Sequence, residues 1–302
     1  MAQLQATPQS SASTSPTAKC YLNLGCGYRY RADWVNMDFT PTGEGVIAHN
    51  LTQGIPFPAA SFDLVYHSHV LEHFSKAGAV PFLQECYRVL RPGGILRVVV
   101  PDLEQIARMY LKALEDASTG SATWAHHYEW MLLELLDQTV RNRPGGDMLA
   151  YLYRSQIPNS EFVIERCGVE IKNLMEVGAT LRTTIPGQPA PIHPLKRWAA
   201  QIYRVLFDQE YRRERQLRRL LGEEYHALEI GRFRLGGEVH QWMYDRYSLG
   251  QLLQSCGFQN VIQRTATDSY LEDWNRFDLD TEPDGSIYKP DSLFMEAVKP
   301  AV

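Results

Sequence analysis

The chain has 302 residues, 44% of them hydrophobic, with sixteen tyrosines and six tryptophans. That is enough to bury the core of one large domain, or of a domain carrying a sizeable insertion. A formal charge of -5 argues against general nucleic-acid binding, which needs a basic footprint, and no apolar run approaches a membrane span.

The first eighteen residues, "MAQLQATPQSSASTSPTA", have neither the basic start nor the apolar stretch of a secretory signal, and their Ser/Thr/Gln/Pro composition predicts a disordered tail over 1–18. Five scattered cysteines with no C-x-x-C pair fit reduced thiols and a cytoplasmic location. "CYLNLG" is short and apolar and runs into Gly25 and Gly27, the pattern of a buried strand ending in a tight turn. "WVNMD" predicts a second strand ending at Asp38, "GVIAHNL" a third ending near Asn50, and "FDLVYHS" a fourth. A helical period follows in "AVPFLQECYRVL", is broken by "RPGG", and gives way to a fifth strand in "ILRVVVPD". Strands that alternate with helices and are apolar on both faces imply a parallel sheet covered on each side.

The texture then changes. "DLEQIARMYLKAL" opens with Asp102 and, three residues on, Gln105, a capping-box arrangement. "WMLLELLDQTV" and "LKRWAAQIYRVLFDQEYRRERQLRRLL" also carry helical periods, separated by proline-rich loops such as "TTIPGQPAPIHP". The sheet pattern resumes with a helix in "SLGQLLQSCGF" and strands in "QNVIQRTA" and "DSLFMEAVKP". The expected architecture is a doubly wound, mostly parallel seven-stranded sheet over 19–102 and 236–302, interrupted after its fifth strand by a mainly helical insertion over 103–235.

In such sheets a ligand sits outside the carboxyl ends of the strands, where the chain order reverses. A glycine turn followed by a carboxylate that can hold two ribose hydroxyls suits either a dinucleotide or S-adenosylmethionine. The dinucleotide pattern wants a third glycine opening a helix whose N-terminus meets the pyrophosphate; that position is Tyr30. S-adenosylmethionine has no phosphate and does not need that helix end.

"LNLGCG" with Asp38, "NLTQGIPFPAASFDLVYHSHVLEHF", "LQECYRVLRPGGILRVVVPD" and, at the other end, "GRFRLGGEVHQWMYDRYSLGQLLQSCGF" resemble the class I S-adenosylmethionine-dependent methyltransferases. The resemblance is closest to the bacterial small-molecule group that includes the ubiquinone-biosynthesis methyltransferases. It implies that Gly25, Cys26 and Gly27 lie against the methionine part of the cofactor and that Asp38 takes the ribose hydroxyls. It further implies that Asn50 and Leu51 meet the adenine, and that backbone near His67 and Ser68 flanks the methionine. The implied activity is methyl transfer to an oxygen or nitrogen of a small-molecule acceptor. The alternatives are a cofactor-binding protein without catalysis, acting through its cap, and a nicotinamide oxidoreductase, which the missing glycine disfavours.

"HVLEH" matches the H-x-x-E-H spacing of some zinc proteases, but zinc ligands there share one face of a continuous helix. This stretch follows directly from the fourth strand, so no metal is expected. His69, at the rim of that strand, and His240, where the chain returns from the insertion, are the candidate general bases; each also has a plain reading as a packed residue. Trp130, Glu134, Gln138 and Arg141 fall on one helix face that is either solvated or roofs the pocket and selects the acceptor. "RRERQLRR" reads as a salt-bridged solvent face. The oligomeric state is left open, with the helical insertion as the surface through which a dimer would form.

Overall fold

The computed structural model describes residues 19–183 and 208–301. The predicted disordered tail, most of "TTIPGQPAPIHP" and the first part of the long helical period beyond it lie outside the described residues. Seven strands form one sheet: β1 (Tyr21–Leu24), β2 (Val35–Asp38), β3 (Val46–Ala48), β4 (Phe62–Ser68), β5 (Leu90–Pro101), β6 (Gln259–Arg264) and β7 (Ser292–Val298). Their order is β3-β2-β1-β4-β5-β7-β6. The first five run parallel, and β7 is antiparallel to both its neighbours. The fold is thus the expected mostly parallel, Rossmann-like sheet. β1 has β2 on one side and β4 on the other, so the chain order reverses there and opens a crevice at the strand ends.

Two of the strand boundaries differ from the sequence reading in instructive ways. β3 stops at Ala48, because Asn50 turns its side chain back to accept from Thr52 N–H (3.0 Å) and caps a short 3-10 helix over Leu51–Gln53. β5 begins before "RPGG": the Phe62–Leu90 pairing and an irregularity between Phe62 and Leu64 absorb the two glycines within the strand. No helix follows Gly27, where turns lead straight to β2.

The alternating side chains of the central strands fill two separate cores. Leu22, Leu24, Val65, Val98 and Val100 face α1 (Ala79–Val89) and the helix over Arg246–Ser255. Tyr21, Leu64, Tyr66 and Val99 face the other way, onto Trp34, Trp274 and Phe277. On that second face an aromatic loop therefore does the covering, since the short segment after Gly27 leaves no room for a helix. The loop is held by Arg97, which is fully buried and donates to Asp280 Oδ2 (2.8 Å) and to Glu296 Oε1 (2.9 Å), with its guanidinium 4.6 Å from the Trp274 ring.

Between β5 and the return to the sheet lie α2 (Leu103–Ser118), α3 (Ala122–Val140), α4 (Gly146–Leu152), α5 (Ser160–Thr183), α6 (Gln209–Leu221) and α7 (Tyr225–Arg234); α8 (Arg246–Ser255) then packs on the sheet. Four of them, α2 to α5, bury a core of their own around Ile106, Trp130, Tyr151 and Val163. Asp102 caps α2 as expected, accepting from Glu104 and Gln105 N–H. Gln105 does not complete the box: its side chain donates to Pro290 O and accepts from Arg166. The basic face of α6 is paired across helices rather than along its own, through Glu214 with Arg232 (2.8 Å) and Arg218 with Glu229 (3.4 Å).

Candidate functional site

The turn after β1 is built from two left-handed glycines, Gly25 at φ +63° and Gly27 at φ +53°, a conformation that costs a side-chain-bearing residue dearly. Gly25 is also a close approach: a Cβ there would stand 2.3 Å from Val70 Cγ2. The turn is tied to the end of β2, since Cys26 N–H donates to Met37 O (3.1 Å) and Gly27 N–H to Asp38 Oδ2 (2.8 Å). Thr42 Oγ1 holds Gly27 O at 2.5 Å. Asp38 is thereby aimed along the strand ends; its other oxygen accepts only a long bond from Thr40 N–H (3.3 Å).

Two cavities meet over this turn. One, of about 260 Å³, is walled by Gly25, Cys26, Gly27 and Ser68 on the sheet side and by Glu170, Tyr288 and Lys289 opposite. The other, of about 410 Å³, is walled by Gly25, Asp38, Asn50 and Leu51, with Leu235, Gly236 and Gly237 opposite. Gly25 and His69 belong to both. The expected cofactor residues thus line one continuous cleft, apart from His67. That side chain is fully buried with its ring 5.2 Å from Phe82 and neither nitrogen partnered, and burial depresses its pKa to about 3.

His69 stands where the two cavities join, in a strained backbone at φ +55°. Its Nε2 is 2.9 Å from Ser292 Oγ and its Nδ1 is 3.3 Å from Glu72 Oε1. Burial first, and then the charges of Lys289 and two further histidines, hold its pKa well below the ordinary value, so the ring is neutral. Glu72 is completely buried, and burial raises its carboxyl to about 8. The "HVLEH" stretch is no continuous helix: strand residues lead into a 3-10 turn over Leu71–His73. Glu72, His73 and His240 each bring a possible ligand atom within 4.8 Å of the others. His240 Nε2 lies 4.0 Å from Glu72 Oε1, so the three form a buried polar wall beside the cleft.

The remaining candidates are placed elsewhere than expected. His240 is buried behind His73, ring to ring at 4.9 Å, and does not line either cavity. Its backbone N–H donates to Gln138 O (2.9 Å). Trp130 and Glu134 are buried inside the insertion: Trp130 Nε1 donates to Glu134 Oε2 (3.0 Å), and Glu134 takes the Arg166 guanidinium on both oxygens. Arg141 is held by Asp137 (2.6 Å) and Glu238 (3.1 Å). Neither cavity has any of Trp130, Glu134, Gln138 or Arg141 in its wall. The shared helix face is real, but it meets the other helices of the insertion at Trp130 and Glu134 and the returning segment over 238–240 at Gln138 and Arg141, not the cleft.

The insertion reaches the cleft through different residues. Gly168 breaks α5 at φ +75°, where a Cβ would lie 2.3 Å from Tyr288 O. The segment beyond drops against the approach to β7 and sets Glu170 Oε2 2.9 Å from Lys289 Nζ. Nothing in the sequence around Glu170 or Lys289 marks them; the kinked glycine was the available signal, and it reads there as an ordinary helix-weakening residue.

Residues 22–98 match the family described as a methyltransferase domain. Over 102 residues the chain is 33% identical to a probable S-adenosylmethionine-dependent methyltransferase of Mycolicibacterium smegmatis, covering 27% of this chain and 37% of that protein. A Mycobacterium tuberculosis protein of the same description is 33% identical over 104 residues, covering 28% and 37%. The matches thus span little more than a third of the length of these curated relatives. A solved S-adenosylmethionine-dependent methyltransferase from Archaeoglobus fulgidus aligns over 94% of this chain and 87% of its own, at 10% identity and a TM-score of 0.37.

Proposed function

From a chain that carries a class I S-adenosylmethionine-dependent methyltransferase domain, we propose an enzyme that moves the cofactor's methyl group to an oxygen or nitrogen of a small-molecule acceptor. The observation that supports this reading is the single cleft running from Asp38 and Asn50, past Gly25, to Ser68 and His69. Asp38 has lone pairs left over for ribose hydroxyls after its bonds to Gly27 and Thr40. Asn50 spends its carbonyl oxygen on Thr52, which leaves its amide group to donate to a base edge. Gly25 and Gly27 keep the floor free of side chains where the middle of the ligand passes.

S-adenosylmethionine, when bound, supplies a methyl group on a sulfonium, an electrophile that needs no further activation. The chain's own task is to position the acceptor and to receive its proton. His69 is the titratable side chain common to both halves of the cleft. Being neutral, it can accept a proton, and the buried Glu72 carboxyl lies 3.3 Å from Nδ1 on the side away from Ser292. Ser292 shares Nε2 with any such proton, so the hydroxyl must turn as the base acts. His240 stands behind His73 and supports this wall from the insertion side. The insertion, meeting the cleft through Glu170 at one end and Leu235–Gly237 at the other, serves as its cover and keeps the reacting atoms dry.

Calorimetry with S-adenosylhomocysteine and NAD, paired with transfer of labelled methyl groups into a panel of hydroxyl and amine metabolites, tests the proposal. The expected result is binding of S-adenosylhomocysteine but not NAD, with label entering a small molecule. Tighter binding of NAD, or cofactor binding with no acceptor labelled in any class, would overturn it.

A further inference from the structure

We propose that Lys289 and Glu170 form a two-charge clamp for the amino-acid end of S-adenosylmethionine, Lys289 meeting its carboxylate and Glu170 its ammonium. The clamp rests on the methyltransferase reading above and adds to it a role for the insertion in holding the cofactor. If Asp38, Asn50 and Leu51 mark the nucleoside half of the cleft, the opposite cavity beyond Gly25 must receive the methionine half. That half is a zwitterion, and its two charges need partners once they leave water.

Most polar groups in this cavity are already committed to the fold. Arg29 donates to Leu279 O, Asp278 O and Thr281 O and pairs with Glu282 (2.7 Å). Tyr66 donates its hydroxyl to Asp280 (2.7 Å). Asn23 donates to Arg29 O (3.1 Å). The Cys26 thiol is kept protonated, its pKa raised to about 11 by burial and by Asp38. His69 is neutral, with Nε2 engaged by Ser292 Oγ and Nδ1 3.3 Å from Glu72 Oε1. Tyr28, Ser68 and Tyr288 add only uncharged hydroxyls, so the charged groups that remain are Lys289 and Glu170, an ion pair facing the same space.

The pair has spare capacity on both sides. Lys289 has three donors, one of which is engaged by Glu170 Oε2 at 2.9 Å. Two further acidic groups lie near it, Glu72 and Asp291, with carboxyls raised by burial to about 8 and, with help from Glu134, to about 7. They therefore only partly compete for Lys289. A zwitterion inserted between the partners replaces one ion pair by two and leaves the net charge of the cavity unchanged. The two residues come from separate regions, Glu170 from α5 beyond the Gly168 kink and Lys289 from the approach to β7, so a bound amino acid would also draw the insertion onto the sheet.

Binding of S-adenosylhomocysteine is compared with that of 5'-methylthioadenosine, which keeps the nucleoside and sulfur but lacks the amino-acid end, in the full chain and in K289M and E170Q. Loss of a hydrogen-bonded charge predicts that K289M weakens S-adenosylhomocysteine by about ten-fold or more and E170Q by about three-fold or more, both leaving 5'-methylthioadenosine within about two-fold. K289R, which keeps the charge, is expected to recover most of the loss, and the half-exposed Glu170 gives a variant that folds should K289M not. Equal weakening of both ligands, or no weakening of either, would overturn the clamp and reduce the pair to a strut between insertion and sheet. Wild-type protein that binds both ligands equally would overturn the clamp while leaving the methyltransferase reading intact. Wild-type protein that binds neither would overturn both.

Discussion

The sheet unit and the helical insertion both bury charged groups, yet they use them for different ends. In the sheet unit the strand ends present Asp38 and Asn50 to a cleft, with part of their bonding capacity unspent. In the insertion the polar residues at helical spacing are consumed internally: Glu134 by Trp130 and Arg166, Arg141 by Asp137 and Glu238. A helix face rich in carboxylates and arginine is therefore no sign of a binding site by itself. What matters is whether the partners come from the fold or are left to the ligand.

The largest effects should come from breaking the charge networks that each region keeps for itself. Arg97→Met leaves Asp280 buried without its counter-charge and Glu296 with Arg264 alone (3.3 Å), and should lower unfolding stability by about 3–5 kcal/mol. Arg166→Met strands Glu134, although Trp130 Nε1 still reaches it, so the cost should fall near about 3 kcal/mol. Urea unfolding measures both. A loss below about 1 kcal/mol in the second variant would mean that the insertion is not held by its polar core.

Asp38→Ala separates the regions in the other direction. It removes the carboxylate proposed to hold the ribose and should weaken S-adenosylhomocysteine by about ten-fold or more, roughly 1.5–3 kcal/mol. Glu134→Ala and Arg141→Ala, buried away from the cleft, should leave that affinity nearly unchanged while lowering the melting temperature. An unchanged constant in Asp38→Ala with an intact fold would show that this carboxylate does not hold the ligand.

The smallest effect per group, and the broadest, is on pH. Burial holds His67, His69, His73 and His240 below their ordinary pKa. The unfolded chain therefore binds protons that the folded chain refuses, and stability falls as pH drops below about 6.5, by up to ~1.4 kcal/mol per pH unit for each histidine. Glu72 acts with opposite sign. Its carboxyl, raised to about 8, keeps a proton that the unfolded chain releases, so stability erodes as pH rises from about 4.5 to 8. Hydrogen exchange at pH 5 and 7 should find the cleft wall around residues 71–73 and 239–242 opening on acidification before the α2–α5 core does. Uniform loosening of both would remove the distinction.

The legible part of the site is the part built from contiguous chain. Gly25, Gly27 and Asp38 lie within two adjacent strands and the turn between them, where backbone geometry alone puts the carboxylate beside the turn. His69 could be placed at the rim because it directly follows a strand whose apolar pattern is plain. His240 and the Trp130–Arg141 face could not be placed, because the periodicity of a helix states which residues share a side and not what that side meets. The segment from Gly27 to Asp38 is too short for more than a single helical turn, and the structure has none there. The cover supplied instead by an aromatic loop around Trp274, pinned by Arg97, had no local signature.

By itself, then, the sequence determined the first five strands, the glycine turn, the carboxylate that ends the second strand and the presence of helices after the fifth. Each of these follows from side-chain period, glycine conformation and strand length, all of which act over a few residues. Tertiary structure alone decided that Glu170 and Lys289 face one another across the cleft, that Glu72 sits uncharged beside His69, and that His240 stands behind the wall. Those depend on how distant segments pack and on how much water is driven from between them, and burial rather than residue type sets the charge each group carries.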